Sequence, residues 1–322
     1  MRLVTRSEIE AVFDADAALA AVESGFRRFS AGEAQLTAVG QLSFADPPGD
    51  CHVKGAHLAG DDVFVIKVAT SFYRNPDAGL PSSNGFMVVI SARTGEVLAL
   101  LRDEGLLTDQ RTAMAGAIAA RAIAKPGSST LGIVGAGTQA RLQAQLISRL
   151  LGMKSILFWG RNPERVAVLA AKQGGRSVDL VYLCDHADLI VTTTPATEPL
   201  LTAEMIRAGT RIVAVGADSP GKQELEAALL ARARIVVDSR AQCVHHGDTG
   251  WAVRAGLVDE ASLIELGALL AKPVEFDAED IVIADLTGVG IQDAEIAKSI
   301  WSRLPPAAFQ SAVFQSDWRG MS

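Results

Sequence analysis

Residues 130–140 constrain the fold of this chain more than any other segment. An apolar run leads into the pattern Gly135-x-Gly137-x-x-Ala140, and a helical pattern follows directly. Gly135 permits a tight turn from strand to helix, Gly137 lets the backbone approach a pyrophosphate, and Ala140 keeps the helix close to the strand. Free N–H groups at the start of such a helix attract phosphates, so we predict a dinucleotide-binding turn. The residues assigned to the cofactor in this turn are Gly135, Gly137, Thr138, Gln139 and Ala140.

The hundred residues after this turn support the same interpretation. Short apolar segments rich in Val and Ile alternate with helical patterns, as expected for strands that are covered by helices on both faces. The predicted strands are Leu131–Val134, Ile156–Trp159, Leu189–Thr193, Ile212–Val215 and Ile235–Val237. This alternation predicts an α/β fold with a doubly wound, right-handed parallel sheet, the Rossmann architecture.

The N-terminal region has a different pattern, typical of a β-rich α+β domain. The predicted elements are a helix over 14–30 with Asp14 as its N-cap, strands over 63–69 and 86–90, a hairpin partner over 96–101, and a helix from its N-cap Thr108 to about Ala124. We place the domain boundary along this last helix. Residues 1–118 with 301–322 are predicted to bind the substrate and to dimerise, and residues 119–300 to bind the dinucleotide.

Charge and composition exclude several classes of partner. The net charge is −7 and no stripe of Lys and Arg is present, which argues against nucleic acid and anionic membranes. The N-terminal residues contain no apolar signal core, and no apolar run is long enough to span a bilayer. Cys51, Cys184 and Cys243 are widely spaced and show no zinc-like pattern. We therefore expect a cytoplasmic protein with reduced cysteines and no metal site.

The second predicted strand of the dinucleotide domain ends in Trp159-Gly160-Arg161-Asn162. Domains that bind NAD usually carry Asp or Glu here, about 20 residues after the glycines, to hold the ribose diol. Arg161 suits the 2′-phosphate of NADP instead. NADP(H) is therefore the favoured cofactor, and NAD(H) is the alternative because an arginine can also stack on adenine. Arg161 and Asn162 are both assigned to the cofactor.

Asp218 follows the predicted strand Ile212–Val215, at the edge of the sheet where ligands bind in open α/β folds. A carboxylate beside a nicotinamide can exchange a proton with a substrate nitrogen. An Asp that forms a turn or caps a helix would give the same Asp-Ser-Pro-Gly pattern. From the residues alone, both interpretations stay open.

Three cations are candidates for binding an anionic substrate. Lys67 lies within an apolar strand, where a buried ammonium needs an anionic partner, either a substrate or a nearby Asp. Arg111 is predicted in the first turn of the Thr108 helix, where it would form a carboxylate clamp or an ordinary surface salt bridge. Lys54 lies in a strand-like segment and is interpreted more simply as a solvated edge residue. Together these residues predict hydride transfer involving a small carboxylate that bears nitrogen.

The chain resembles the ornithine cyclodeaminase/mu-crystallin family over nearly its whole length. The motifs that carry this resemblance are Lys67-Val-Ala-Thr, Asn75-Pro-x-x-Gly-Leu-Pro-Ser-Ser-Asn-Gly85, Leu107-Thr-Asp-Gln-Arg-Thr-Ala113, Gly135-x-Gly-x-Gln-Ala140, Gly216-Ala-Asp-Ser-Pro-Gly-Lys222 and Asp285-Leu-Thr-Gly-Val-Gly-Ile-Gln-Asp293. The resemblance implies a homodimer that is joined through its N-terminal domains, with an active site between the two domains of each subunit.

The resemblance also implies roles for individual residues. Lys67 and Arg111 match residues that hold the substrate carboxylate, and Asp218 matches the acid/base carboxylate, which shifts its interpretation towards catalysis. The residues that match cofactor-lining segments are Thr193, Val215 and Val289. Asn84, in the second motif, is assigned to the substrate.

One departure from the family pattern concerns a further Arg on the strand before Lys67. Here Gly40 or Gln41 occupies that place, and Lys54 would supply the missing charge. Gln41 and Lys54 are therefore assigned to the substrate. The Val-Lys-Gly form around Lys54 is similar to a branch that includes ectoine-catabolic cyclodeaminases and imino-acid reductases.

The favoured function is NAD(P)H-dependent reduction of a cyclic ketimine carboxylate, with Asp218 and Lys67 as catalytic residues. The expected substrates are Δ1-pyrroline-2-carboxylate or Δ1-piperideine-2-carboxylate, and the products L-proline or L-pipecolate. The alternative is an NAD-dependent cyclodeaminase that acts on ornithine or a related diamino acid and releases ammonia. A non-catalytic NADP-dependent binding protein is the third hypothesis.

Overall fold

The computed structural model describes residues 1–305 and contains two sheets. The first sheet is formed by β1 (Arg2–Thr5), β2 (Ala34–Leu36), β3 (Gly40–Phe44), β4 (Gly49–Leu58), β5 (Val63–Phe72), β6 (Ser83–Ser91) and β7 (Val97–Arg102). Its order is β1-β7-β6-β5-β4-β2, and β3 also pairs with β4. The β1–β7 pair is parallel and the other pairs are antiparallel. The predicted hairpin of 86–90 and 96–101 is the β6–β7 pair.

The second sheet is parallel throughout. Its strands are β8 (Thr130–Val134), β9 (Ser155–Trp159), β10 (Arg176–Ser177), β11 (Leu189–Thr192), β12 (Arg211–Ala214), β13 (Ala233–Val237), β14 (Ile264–Glu265) and β15 (Ile281–Asp285). The order is β10-β9-β8-β11-β12-β15-β13-β14, so the winding reverses between β8 and β11. The predicted doubly wound α/β architecture is confirmed. The sequence interpretation missed β15, a fully buried strand between β12 and β13.

Eleven α-helices are present in residues 1–305. They are α1 (Arg6–Val12), α2 (Ala15–Ser30), α3 (Leu106–Ile123), α4 (Thr138–Leu151), α5 (Pro163–Lys172), α6 (Leu180–His186), α7 (Ala227–Leu230), α8 (Arg240–His246), α9 (Asp248–Arg254), α10 (Leu266–Ala271) and α11 (Gly290–Trp301). Asp14 caps α2 as predicted, because its Oδ1 accepts the N–H groups of Asp16 and Ala17 at 3.1 and 3.0 Å. Within this part of the chain, no helix has the length and apolar character needed to cross a bilayer.

Helix α3 begins earlier than predicted, so Thr108 is not its N-cap. Gly105, with φ 85°, precedes the first turn, and the Asp103 carboxylate accepts the Leu107 N–H at 2.8 Å. Asp103 therefore satisfies one of the free N–H groups in the first turn of α3. As a consequence Arg111 lies in the second turn, where the backbone N–H groups are already used within the helix.

Helix α11 packs against α2 and against strands β4, β5 and β6 of the first sheet. Its buried side chains Ile291, Ile296 and Ile300 belong to the same core as Phe26 of α2. A final helix over 293–304 that returns toward the first domain was expected, and α11 makes these contacts with the first sheet; its residues 290–300 fall within the segment 119–300 that was assigned to the dinucleotide domain. Of the segment 301–322, the part beyond Pro305 lies outside the described residues.

The register of the first sheet separates two faces. Asp50, His52 and Lys54 alternate along β4 and share one face, and Lys67 of β5 is paired directly with Lys54. The opposite face carries three exposed apolar side chains, those of Leu42, Phe44 and Val53. One face therefore presents charge to the rest of the subunit, and the other presents apolar surface to solvent.

Candidate active site

Two adjoining cavities lie where the first sheet meets the carboxyl edge of the second. The larger, of 590 Å³, lies over the turn after β8 and the end of β9. The smaller, of 270 Å³, lies beside Arg111 and Asp218. The residues that line both are Tyr73, Ser82, Gly137, Thr193, Thr194 and Pro195. A ligand of two parts can therefore extend from one cavity into the other.

The turn after β8 has the shape that a dinucleotide requires. Gly135 has φ 135°, and a Cβ there would lie 2.3 Å from Thr193 Oγ1, so the turn excludes any side chain. Gly137 precedes α4 without a capping side chain, and a Cβ there would meet no atom within 4 Å. Open space and free N–H groups at the start of α4 fit a pyrophosphate.

Most of the predicted cofactor residues line these cavities. Those at the smaller cavity are Gly137, Thr138, Gln139, Thr193 and Val215, and those at the larger are Gly135, Gly137, Arg161, Asn162 and Thr193. Ala140 and Val289 are fully buried and lie outside the linings described for the two cavities. Ala140 packs in the core beneath the turn, and Val289 precedes α11.

Arg161 is exposed at the end of β9 and is joined at the larger cavity by Arg165. Asn162 caps α5, because its Oδ1 accepts the Arg165 N–H at 3.0 Å. Arg165, in the first turn of α5, was not predicted. Glu198 also lines this cavity, but it comes from the segment after β11.

A buried carboxylate, Asp293, organises the cations of the site. Lys67 Nζ lies 2.9 Å from Asp293 Oδ2 and 3.0 Å from Oδ1, and Arg111 Nε lies 2.9 Å from Oδ1. Arg111 Nη1 also donates to Gln292 Oε1 at 2.7 Å. Asp293 is therefore the anionic partner that a buried Lys67 requires.

Lys54 is not a solvated edge residue. Its side chain is 6% exposed, and its Nζ donates to the carbonyl oxygens of Gly288 and Thr287 at 2.6 and 3.2 Å. Strand β4 lies inside the sheet, and the segment before α11 covers this face. Lys54 thus joins Lys67 and Arg111 beside the smaller cavity.

The cluster of Lys54, Lys67, Arg111 and Asp293 carries surplus positive charge. Burial and the nearby Arg111 guanidinium lower the pKa of Lys67 to about 7, although Asp293 opposes them. The same causes lower the pKa of Lys54. Burial by itself would raise the pKa of Asp293, but Arg111 and Lys67 outweigh it and the pKa is lowered. The charge is therefore favourable for binding a carboxylate.

Asp218 lines the smaller cavity with a side chain that is 46% exposed. Its Oδ1 lies 2.6 Å from Lys222 Nζ. Loss of solvent acts to raise its pKa, but the Lys222 ammonium dominates and lowers the pKa to about 2. Burial acts to lower the pKa of Lys222, and the Asp218 carboxylate outweighs it, so this pKa is raised. At neutral pH, the pair consists of a carboxylate and an ammonium.

Two predicted substrate residues are not brought to the cavities. Gln41, on β3, contacts only Ser43 Oγ at 3.5 Å among the described side-chain hydrogen bonds. Asn84 is exposed, and its Oδ1 accepts the Gly85 N–H at 2.7 Å. Neither residue belongs to the cavity linings described for residues 1–305. Lys54, unlike Gln41, lies beside the segment before α11 and close to the cation cluster.

Several site residues were not singled out from the sequence. These are Tyr73, Asp109, Lys222, Gln292 and Asp293. Lys222, Gln292, Asp293 and Asp109 lie inside the family motifs, so their motif positions were the available signal. Burial raises the pKa of Asp109, which lines the smaller cavity, to about 6. In the described part of the chain, no group of three or more His, Cys, Asp or Glu is placed to hold a metal.

Buried carboxylates hold the loops of the site. Glu224 accepts the Thr192 hydroxyl, the Thr194 N–H and the Gly216 N–H at 2.6 to 2.8 Å. Asp238 accepts the N–H groups of Thr287 and Gly288 at 2.9 and 2.7 Å. These bonds stabilise the segments after β11, β12 and β15, which carry much of the cavity wall.

A model of the ornithine cyclodeaminase/mu-crystallin family matches residues 1–306. The chain is 36% identical to the alanine dehydrogenase of Archaeoglobus fulgidus, over 93% of this chain and 94% of that protein. The structure of the iminosuccinate reductase of Paracoccus denitrificans with NAD⁺ is similar with a TM-score of 0.85 at 34% identity, covering 94% and 95% of the two chains. That of the Thermococcus litoralis Δ1-pyrroline-2-carboxylate reductase with NADH and L-proline is similar with a TM-score of 0.87 at 26% identity, covering 94% and 97%.

Proposed function

The chain belongs to the ornithine cyclodeaminase/mu-crystallin family, and on this premise we propose that it reduces the C=N bond of a small 2-imino carboxylate with NAD(P)H. One observation carries the proposal. The cation cluster around Asp293 and the Asp218–Lys222 pair meet at a cavity that adjoins the dinucleotide turn. A carboxylate, a nitrogen and a hydride donor can be held together in such an arrangement.

The protein groups position the substrate and stabilise its charge. Bound NAD(P)H supplies the hydride. Arg111, which lines the cavity, and Lys54 and Lys67 behind it attract the substrate carboxylate and orient the imine carbon. The ionised Asp218 carboxylate stabilises a protonated imine nitrogen, which is the electrophilic form. Addition of a hydride to this protonated imine would give the amine, so the reaction consumes one proton, which Asp218 would deliver to the imine nitrogen.

The proposed substrates are Δ1-pyrroline-2-carboxylate and Δ1-piperideine-2-carboxylate, which would yield L-proline and L-pipecolate. Each bears one carboxylate and one imine nitrogen, and the smaller cavity of 270 Å³ has room for a five- or six-membered ring. The acyclic imines of pyruvate and oxaloacetate belong to the same chemical class. The names of the alanine dehydrogenase and iminosuccinate reductase relatives support testing them as well.

NADP(H) is the proposed cofactor. Arg161 and Arg165 are two guanidinium groups at the larger cavity, close to the strand end that faces an adenine ribose in this architecture. Guanidinium groups bind phosphate through paired N–H donors, so they favour the 2′-phosphate. NAD(H) is the alternative.

We also propose that two copies of the chain associate through the first sheet. Leu42, Phe44 and Val53 are 62%, 42% and 38% exposed on its outer face, a large apolar contribution for a free surface. The archaeal alanine dehydrogenase, which is similar in structure, is a dimer. The three cysteines are free, and a reducing cytoplasm is the proposed compartment.

A cyclodeaminase is the second candidate. The observation that favours it is the place of the Asp218 carboxylate in the lining of the smaller cavity, where it can pair with the distal amine of a diamino acid and take part in its deprotonation. In that reaction the substrate is first oxidised, ammonia leaves after ring closure, and the hydride returns. A binding protein without activity would quench NADPH fluorescence and oxidise none of it.

The test is oxidation of NADPH and NADH with purified protein and the cyclic and acyclic imines named above. We expect turnover with at least one imine. The isosteric variant Asp218→Asn should lose about a hundredfold in kcat while it binds the cofactor normally. Silence with every imine, together with ammonia release from ornithine and no net change in cofactor absorbance, would establish the cyclodeaminase instead.

A further inference from the structure

A line of polar contacts leads away from the cavity behind Asp218. Ser219 Oγ donates to Asp218 Oδ1 at 3.3 Å and lies 3.4 Å from His52 Nε2. His52 belongs to β4 of the first sheet, whereas Asp218 and Ser219 follow β12 of the second. The line therefore connects the two sheets at the residue assigned to acid/base chemistry.

We propose that His52 is a proton-relay residue that exchanges protons with Asp218 through the hydroxyl of Ser219. The relay rests on the proposed imine reduction. Protonated His52 donates its Nε2 proton to Ser219 Oγ, while the Ser219 proton passes to Asp218 Oδ1. Asp218 then transfers this proton to the substrate nitrogen, and neutral His52 regains a proton from water. Each of the three groups, His52, Ser219 and Asp218, thus gains one proton and loses one proton in each turnover.

The reaction needs such a source because the Asp218–Lys222 pair supplies protons poorly by itself. Lys222 lowers the pKa of Asp218 to about 2, and Asp218 raises the pKa of Lys222. At neutral pH the Asp218 carboxylate therefore carries no proton, and the Lys222 ammonium does not readily release one. A hydroxyl can accept one hydrogen bond and donate another, so Ser219 can connect the histidine to the carboxylate. The His52 side chain is 12% exposed, which leaves a path to solvent.

Polar groups around His52 hold its ring in place. Asp50 Oδ1, two residues away on the same face of β4, lies 3.5 Å from His52 Nε2. The Tyr73 hydroxyl donates to the other oxygen of Asp50. Burial, with the Asp50 carboxylate, raises the pKa of Tyr73 to about 12, so this hydroxyl stays a donor. Asp218 from the loop after β12 and His246 at the end of α8 also interact electrostatically with His52.

The test compares His52→Ala with His57→Ala in the reduction assay. His57 is on the same strand but the opposite face, where its Nε2 contacts the Asp61 carbonyl oxygen at 3.1 Å. We expect His52→Ala to lower kcat about a hundredfold with an unchanged KM for the cofactor, and His57→Ala to leave kcat unchanged. Added imidazole should restore kcat in His52→Ala, more strongly at a pH where imidazole is protonated.

Ser219→Ala tests the same path without removing the histidine. It should lower kcat to a similar extent, imidazole should not restore it, and the double variant should be no slower than either single one. A wild-type kcat in His52→Ala, or a loss that imidazole does not restore, would overturn the relay while the reductase stands. An inactive wild type would overturn the proposed function itself.

Discussion

At the scale of single residues, Asp293 changes how the neighbouring cations are interpreted. Lys67 and Arg111 were expected to hold a substrate, and both are bound to this internal carboxylate in the folded chain. Lys54 lies directly opposite Lys67 in the sheet, so two ammonium groups and a guanidinium surround one carboxylate. The excess of positive charge attracts an added anion. The repulsion between the three cations also lowers the pKa of Lys67, so that its protonation changes near neutral pH.

We expect Lys67→Met to change how stability depends on pH. The pKa of Lys67 is lowered from 10.5 to about 7, so between these values the unfolded chain binds more protons than the native chain. The native state of the wild type therefore gains stability as pH rises from 7 to about 10.5, and the variant lacks this gain.

Denaturant unfolding at several pH values measures the effect. The difference in the free energy of unfolding between wild type and Lys67→Met should move in favour of the wild type by on the order of a few kcal/mol across this window. The exposed Lys172→Met on α5 is the control and should show a constant difference. A constant difference for Lys67→Met as well would show that its ammonium stays charged.

Arg161→Ala should discriminate between the two cofactors. Loss of a guanidinium that contacts a 2′-phosphate should raise the Kd for NADPH at least about tenfold, with a much smaller effect on NADH. Fluorescence titration measures both constants. Arg149→Ala, which removes an arginine paired with Asp16 instead, is the control. Equal effects of Arg161→Ala on both cofactors would indicate adenine stacking.

At the scale of elements, the turn between β8 and α4 contains one glycine that the fold requires and one that cofactor binding is expected to require. Gly135 is needed by the backbone itself, since φ is positive and Thr193 fills the space of a side chain. Gly137 has an ordinary φ of −95° and open space in front of it. The two glycines of one motif therefore serve different purposes.

Gly135→Ala and Gly137→Ala should consequently fail in different ways. Gly135→Ala should lower the melting temperature, because a methyl group cannot fit beside Thr193 without strain. Gly137→Ala should keep its melting temperature and raise the Kd for NADPH about tenfold, since its methyl group occupies the pyrophosphate space. Thermal unfolding and fluorescence titration distinguish them. Normal cofactor affinity in Gly137→Ala would place the pyrophosphate elsewhere.

Elements whose signal is local were predicted well. The five strands that were expected in the dinucleotide domain are all present, because each is a short apolar run between helices. β15 was missed although it has the same kind of run, Ile281–Asp285, and its place between β12 and β13 depends on a crossover that no local pattern encodes. The predicted start of α3 at Thr108 was wrong, because the helix begins at Leu106 and the Asp103 carboxylate accepts an N–H group of its first turn.

At the scale of the whole molecule, the two faces of the first sheet differ in character. One face brings Asp50, His52 and Lys54 to the second sheet and the cavity. The other carries the exposed apolar residues Leu42, Phe44 and Val53, which a second copy of the chain would cover. If the dimer forms there, the strands that bear the site are also those that support the interface.

Leu42→Asp tests this arrangement. A buried aspartate on each subunit would oppose association, so we expect the mass in solution to change from dimer to monomer. Light scattering after size-exclusion chromatography measures it. Val181→Asp, at an equally exposed apolar position on α6, is the control and should remain dimeric. A Leu42→Asp dimer, or a monomeric wild type, would contradict the proposed interface.

The sequence by itself determined the Rossmann architecture, the dinucleotide turn and the candidate cations, because periodicity and short motifs encode local structure. Only the tertiary structure decided which charges meet. Lys67 and Asp293 are 226 residues apart, and Ser219 and His52 are 167 apart. Lys54, which was interpreted as a solvated edge residue, is buried beside the candidate active site, whereas Gln41 and Asn84 lie outside the cavity linings described above. Charge partners across such separations are set by how the two sheets pack, which the pattern of any single segment does not contain.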